Sequence, residues 1–119
     1  MMQIEKEFIF DSAHFLPLVP DEHKCRKLHG HTYRVTIAVS GEVNPQGWII
    51  DFAEISDVVK PILRTIDHTL LNSVAGLENP TAENIAQWIY TRVKQELPVL
   101  DFVIVQEGAS SRVIFPKRS

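Results

Sequence analysis

Apolar and polar positions alternate along residues 32–42, TYRVTIAVSGE, with Tyr33, Val35, Ile37 and Val39 on one side and Thr32, Arg34, Thr36 and Ser40 on the other. A period of two predicts a strand with one buried face. A weaker alternation in QIEKEFIF, ending on aromatic and β-branched residues, predicts an earlier strand over 3–10. NPQG at 44–47 reads as a turn, with Pro45 and Gly47 as its punctuation. From Phe52 the rhythm changes. Phe52, Ile55, Val58, Val59, Ile62, Leu63 and Ile66 recur at the i, i+3, i+4 spacing of an amphipathic helix. Pro61 lies inside that stripe and predicts a kink or break near residue 60. A second helix is predicted from NPTAEN, with Asn79 as N-cap, Pro80 in the first helical position and Glu83 at the positive end of the dipole. Its stripe is Ile85, Trp88, Ile89, Val93 and Leu97, and Pro98 stops it. Two short strands, 101–107 and 112–115, close the chain. The order ββααββ predicts an α+β fold, a four-stranded antiparallel sheet with two helices on one face. Its two open edges predict oligomerisation.

Composition narrows the class. The length of 119 residues predicts a single domain, 1–119. No apolar run approaches the ~20 residues that span a bilayer, so no membrane association is expected. MMQIEKEFIF has acidic residues where a secretory signal needs basic ones, and one cysteine makes no internal disulfide. A cytoplasmic location is the expectation. The formal charge of −3 argues against a general nucleic-acid binder. Against that background His23-Lys24-Cys25-Arg26-Lys27 is locally positive. It is either a solvated loop or an anion site beside a thiol whose ionisation the cations favour.

The candidate chemistry begins in CRKLHGHTYRV. Side chains two apart on a strand share a face, so His29 and His31 can aim at one point. Zinc takes histidine nitrogens, and catalytic sites use three protein ligands with a position left open. His14, in FDSAHFL at the end of the first strand, becomes the third ligand if strands one and two form a hairpin. The bland alternative is an accidental HxH beside a satisfied core histidine. Cys25 has three readings: an inert buried thiol, a fourth ligand closing a structural zinc site, or a catalytic thiolate near the metal. Asp67-His68, where the first helix ends, is either a cap or a carboxylate orienting an imidazole for proton transfer. Glu107 is either an exposed strand end or an acceptor for the amino and ring N–H groups of a heterocycle.

Taken together, FDSAHFLP, HKCRKLHGHTYRV, GEVNPQGWIIDFAEI, IDHTLLN, GLENPTAENIAQWI and VQEG resemble the 6-pyruvoyl-tetrahydropterin synthase superfamily nearly end to end. GWIIDFAE tips the resemblance toward the 6-carboxy-5,6,7,8-tetrahydropterin synthase branch of queuosine biosynthesis. The resemblance implies the tunnelling fold, with trimers stacked into a homohexamer and active sites between subunits. It makes His14, His29 and His31 the Zn2+ ligands, Cys25 the proton-abstracting thiolate, and Asp67 with His68 the rest of a relay. It makes Glu107 the anchor of the pterin ring. The family often reads Lys-Glu-Thr there, whereas this chain has Gln106-Glu107-Gly108, with Ser110 or Ser111 as substitutes for the missing hydroxyl.

The implied substrate is 7,8-dihydroneopterin triphosphate, with Lys24, Arg26 and Lys27 as candidates for the triphosphate. Three neutral imidazoles leave a zinc ion its full charge for polarising the substrate side chain, which favours Cys25 off the metal. The implied products are 6-carboxy-5,6,7,8-tetrahydropterin, acetaldehyde and triphosphate. Two alternatives remain at this level: a 6-pyruvoyl-tetrahydropterin synthase that eliminates triphosphate without C–C cleavage, and a non-catalytic zinc protein with a closed Cys/His site.

Overall fold

The two alternating stretches pair with each other, and their pairing runs further than either pattern. In the computed structural model, which describes residues 1–118, strand β1 (Met2–His14) lies antiparallel to β2 (His29–Gly41). The ladder continues from Met2↔Gly41 to His14↔His29, past the predicted strand ends at residues 10 and 32. The extra residues, Asp11–His14 and His29–His31, are polar or small, and backbone pairing rather than hydrophobic alternation makes them strand. Strand β3 (Leu100–Gln106) adds to β2, and β4 (Arg112–Phe115) adds to β3, giving an all-antiparallel sheet in the order β1-β2-β3-β4. Glu107, expected as the last residue of a strand, stands one residue beyond β3.

Helix α1 (Phe52–Arg64) lies against β1, and α2 (Ala82–Glu96) against β3 and β4. The inward sides of the strands, Phe8, Phe10, Tyr33, Val35, Ile37, Val39, Val103 and Val105, meet Ile55, Val59, Leu63, Ile85, Ile89 and Val93 in one core. In α1 the break allowed for near residue 60 does not occur, and one stripe residue lies outside the core. Pro61 does not end the helix, which runs on to Arg64. Pro61 and Asp57 are both exposed, so water can satisfy the carbonyl that the missing N–H leaves free. Phe52 begins the helix but is 51% exposed, outside the core its spacing suggested.

The start of α2 also differs. Its N-cap is Thr81, whose hydroxyl accepts the Asn84 N–H at 3.1 Å. Asn79 caps through its carbonyl instead, accepting from Thr81 N and from the Asn84 side chain. Glu83 sits in the first turn as expected. The turn at 44–47 forms around Asn44, whose carbonyl accepts from Gly47 N at 2.9 Å, and Gly47 takes the positive φ of 99° that glycine tolerates.

The chain between α1 and α2 supplies an unforeseen element. Residues 67–70 run beside the outer edge of β1, with Ala13 bridged in parallel to Leu70. Ala13 N donates to Thr69 O at 3.0 Å, and His68 N donates to Asp11 O at 2.6 Å. This end of the β1 edge is therefore occupied within the chain.

Candidate metal centre and active cleft

The ladder that extends β1 and β2 also builds the site. His14 and His29 are direct cross-strand partners, and His31 lies two residues along β2 on the same face. One ligand nitrogen from each of His14, His29 and His31 lies within 4.8 Å of the others. The ring planes meet edge to face, at centroid separations of 4.6, 5.1 and 4.9 Å.

Backbone carbonyls set the tautomers. His14 Nδ1 lies 2.8 Å from Pro80 O, and His29 Nδ1 lies 2.7 Å from Lys27 O. A carbonyl can only accept, so both Nδ1 atoms carry the proton. Both Nε2 atoms then present lone pairs, and they face each other at 3.0 Å. His31 Nε2 is buried with no hydrogen-bond partner. Two opposed lone pairs and an orphaned buried nitrogen are costly unless something positive sits among them. Three nitrogens on one tetrahedral zinc are about 3.3 Å apart, near the 3.0 Å between the His14 and His29 atoms and inside the 4.8 Å that bounds the trio. The donor set fits a divalent cation, and the two carbonyls are the outer contacts that orient ligand imidazoles.

Burial supports the ligand form. His14 is 1% exposed, and desolvation holds its pKa below the ordinary imidazole range, against the opposing pull of the Pro80 carbonyl and Glu107. The buried Tyr33 hydroxyl stands 3.3 Å from His14 Nδ1, and its pKa is driven upward by the same desolvation.

His31 also lines an open cleft of about 640 Å³ with Asp11, Ser12, Thr32, His68 and Thr69. His68 enters because the 67–70 segment lies along β1. Its Nδ1 is 2.9 Å from Asp67 Oδ1, an oxygen that also accepts the Asp11 N–H at 3.0 Å. That backbone bond is the main reason the Asp67 carboxyl lies below its ordinary pKa. Modest desolvation opposes it and His68 reinforces it. His68 adopts a φ of 53°, unusual for a residue with a side chain, and its N–H bond to Asp11 O holds it there.

The remaining expected residues divide. Glu107 joins the histidines, with its Oε1 3.7 Å from His31 Nε2. Gly108 beside it is exposed, and a Cβ there would touch nothing within 4 Å, so the absent threonine leaves open space. Ser110 and Ser111 are exposed in the loop that follows. Cys25 sits half-buried in a 3-10 turn (Lys24–Arg26) between β1 and β2. Its sulfur is not among the converging ligand atoms, and it does not line the cleft of its own chain. The cationic cluster is outside that cleft too. Arg26 donates to Pro17 O and Val19 O at 2.8 and 2.9 Å and faces Asp21 at 3.4 Å, so it staples its own loop. Lys24 and Lys27 are exposed.

This chain and its fold have relatives. The sequence pattern of the family described as 6-pyruvoyl tetrahydropterin synthase matches residues 3–117. The chain belongs to that family. It is 37% identical over 118 residues to the 6-carboxy-5,6,7,8-tetrahydropterin synthase of Synechocystis sp., covering 93% of this chain and 90% of its relative. It is also 37% identical over 89 residues to the dihydroneopterin monophosphate aldolase of Pyrococcus furiosus, covering 75% and 72%. The solved 6-pyruvoyl tetrahydropterin synthase of Caenorhabditis elegans superposes with a TM-score of 0.90 at 25% identity, over 98% of this chain and 96% of that one. The four-stranded antiparallel sheet with its two helices is the fold this chain shares with that structure.

Sequence reasoning missed Asp11, Pro80, Tyr33 and the Lys27 carbonyl. Three of these act through backbone atoms, which leave no mark on residue type. Tyr33 read as core, and it is core, with its hydroxyl turned to the site.

Proposed function

We propose that the chain is a zinc-dependent lyase that converts 7,8-dihydroneopterin triphosphate and water to 6-carboxy-5,6,7,8-tetrahydropterin, acetaldehyde and triphosphate in queuosine biosynthesis. It works in the cytoplasm as a homohexamer. The observation that carries this reading is the trio His14, His29 and His31, whose ring nitrogens converge beside a cleft that also holds His68. The resemblance to named 6-carboxy-5,6,7,8-tetrahydropterin synthases supplies the substrate.

His14, His29 and His31 would hold the ion, which when bound acts as a Lewis acid on side-chain oxygens and acidifies the neighbouring C–H. Glu107 accepts the ring and amino N–H groups of the pterin and sets its orientation. The Cys25 thiolate removes the acidified proton. His68, held by Asp67, donates and accepts protons at the substrate side chain. Because Cys25 is absent from its own chain's cleft, the thiolate comes from a neighbouring subunit. Lys24 and Lys27 accompany it as contacts for the triphosphate.

The deciding experiment is incubation of zinc-loaded protein with 7,8-dihydroneopterin triphosphate, with products identified by mass spectrometry. Acetaldehyde together with the 6-carboxy product is expected. A 6-pyruvoyl product assigns the sister activity instead. The likeness to an aldolase gives a second reading, in which C–C cleavage releases a two-carbon aldehyde and leaves a 6-hydroxymethyl pterin. Cys25→Ala should retain zinc and lose roughly 10²–10⁴-fold in turnover. Loss of zinc in that variant would restore the closed structural site.

A further inference from the structure

We propose that Glu107 serves the metal centre as well as the pterin, its carboxylate offsetting the charge of a divalent cation on His14, His29 and His31 until a pterin claims it. The pterin half of this inference rests on the function proposed above. The metal half rests on geometry alone.

Glu107 Oε1 lies 3.7 Å from His31 Nε2, the nitrogen that is buried and has no hydrogen-bond partner. Among the described residues, no other carboxylate comes within 4.0 Å of any of the three imidazoles. The two other Nε2 atoms face each other at 3.0 Å, and both of their Nδ1 protons are committed to carbonyls. The site therefore gathers three imidazoles, two with their lone pairs turned to each other, with one carboxylate standing against the third. Neutral imidazoles leave the whole charge of a divalent ion uncompensated, and Glu107 is placed to oppose it. Its side chain is 32% exposed, so the attraction acts through a medium less screening than bulk water.

The position of Glu107 also permits a change of partner. It follows the last ladder residue of β3 and precedes Gly108, around which space is open. A pterin that takes both carboxylate oxygens through its amino and ring N–H groups withdraws them from the histidines. One carboxylate with two claimants makes the two binding events antagonistic, and the coupling is reciprocal.

The test uses zinc with a chromophoric chelator as competitor, and 6-methylpterin, which lacks hydroxyls on its side chain to ligate the ion itself. Glu107→Gln keeps the shape and removes the charge. It should weaken zinc binding by roughly 10–100-fold, the usual effect of losing an outer contact of a metal ligand. Saturating 6-methylpterin should weaken zinc binding to the unaltered protein and leave that of Glu107→Gln unchanged. Equal zinc affinity in the two proteins, or no zinc binding by the unaltered protein, overturns the proposal. A charge effect without a pterin effect overturns the antagonism and keeps the metal role. Should Glu107→Gln misfold, Glu107→Ala tests the metal role in its place, and zinc affinity of the unaltered protein that ignores 6-methylpterin still overturns the antagonism. Failure of the lyase reading appears separately, as absent turnover in a protein whose zinc affinity still depends on Glu107.

Discussion

Asp67 shows how a short polar motif acquires its geometry from outside itself. Aspartate beside histidine suggested a relay or a cap. The structure ties the carboxylate to Asp11 N at 3.0 Å as well as to His68 Nδ1 at 2.9 Å, so β1 fixes the pair against the cleft. The Asp67 pKa is lowered in the fold, chiefly by the Asp11 N–H. Its stabilising contribution is therefore present above the unfolded carboxyl value near 3.9 and is lost as pH falls through the lower folded value. The side chain is 37% exposed, so solvent screening keeps the contribution small. Urea midpoints of the unaltered protein and Asp67→Asn should differ by a constant amount near neutral pH and converge in acid. A gap that stays constant as the solution is acidified would place the effect elsewhere than in the charge.

Among the elements, the helix starts separate what is locally encoded from what is not. Asp51 caps α1 through its side chain, accepting from Ala53 N at 2.9 Å. For α2 two eligible residues stood two positions apart, and residue type alone does not choose between Asn79 and Thr81. The choice falls to Thr81 because the 79–80 segment is held elsewhere, with the Pro80 carbonyl bonded to His14. Thr81→Ala should cost about 1 kcal/mol in denaturant unfolding, as loss of an N-cap does. Asn79→Ala should cost clearly less, since its capping contribution comes from the backbone carbonyl and survives the substitution. A larger loss at Asn79 would reverse the assignment.

At the scale of the whole molecule, the cleft in one chain holds His31 and His68 but not Cys25. The sheet leaves β1 and β4 as edges, with the His14 end of β1 bridged from within by the 67–70 segment. A site completed across subunits predicts complementation. Cys25→Ala and His68→Ala should each be inactive alone. Denatured together and refolded as mixed oligomers, they should recover roughly a quarter of the activity of the unaltered protein, the share of sites that pair an intact Cys25 with an intact His68. No recovery would place both residues on one chain.

The order of elements, the buried sides of the strands and the convergence of His29 with His31 are written in the sequence by itself. Each follows from a period of two or of about 3.6, and the chain carries such periods locally. The pairing of His14 with His29 needed one further inference, that the first two strands lie side by side. Only the tertiary structure decided that residues 67–70 line β1, that Arg26 staples its loop, that Pro80 and Lys27 orient the ligand imidazoles, and that Glu107 faces His31. These outcomes depend on backbone atoms that every residue shares and on loops whose paths no periodicity records. Residue type chose the chemistry of the site, and long-range backbone hydrogen bonds chose its geometry.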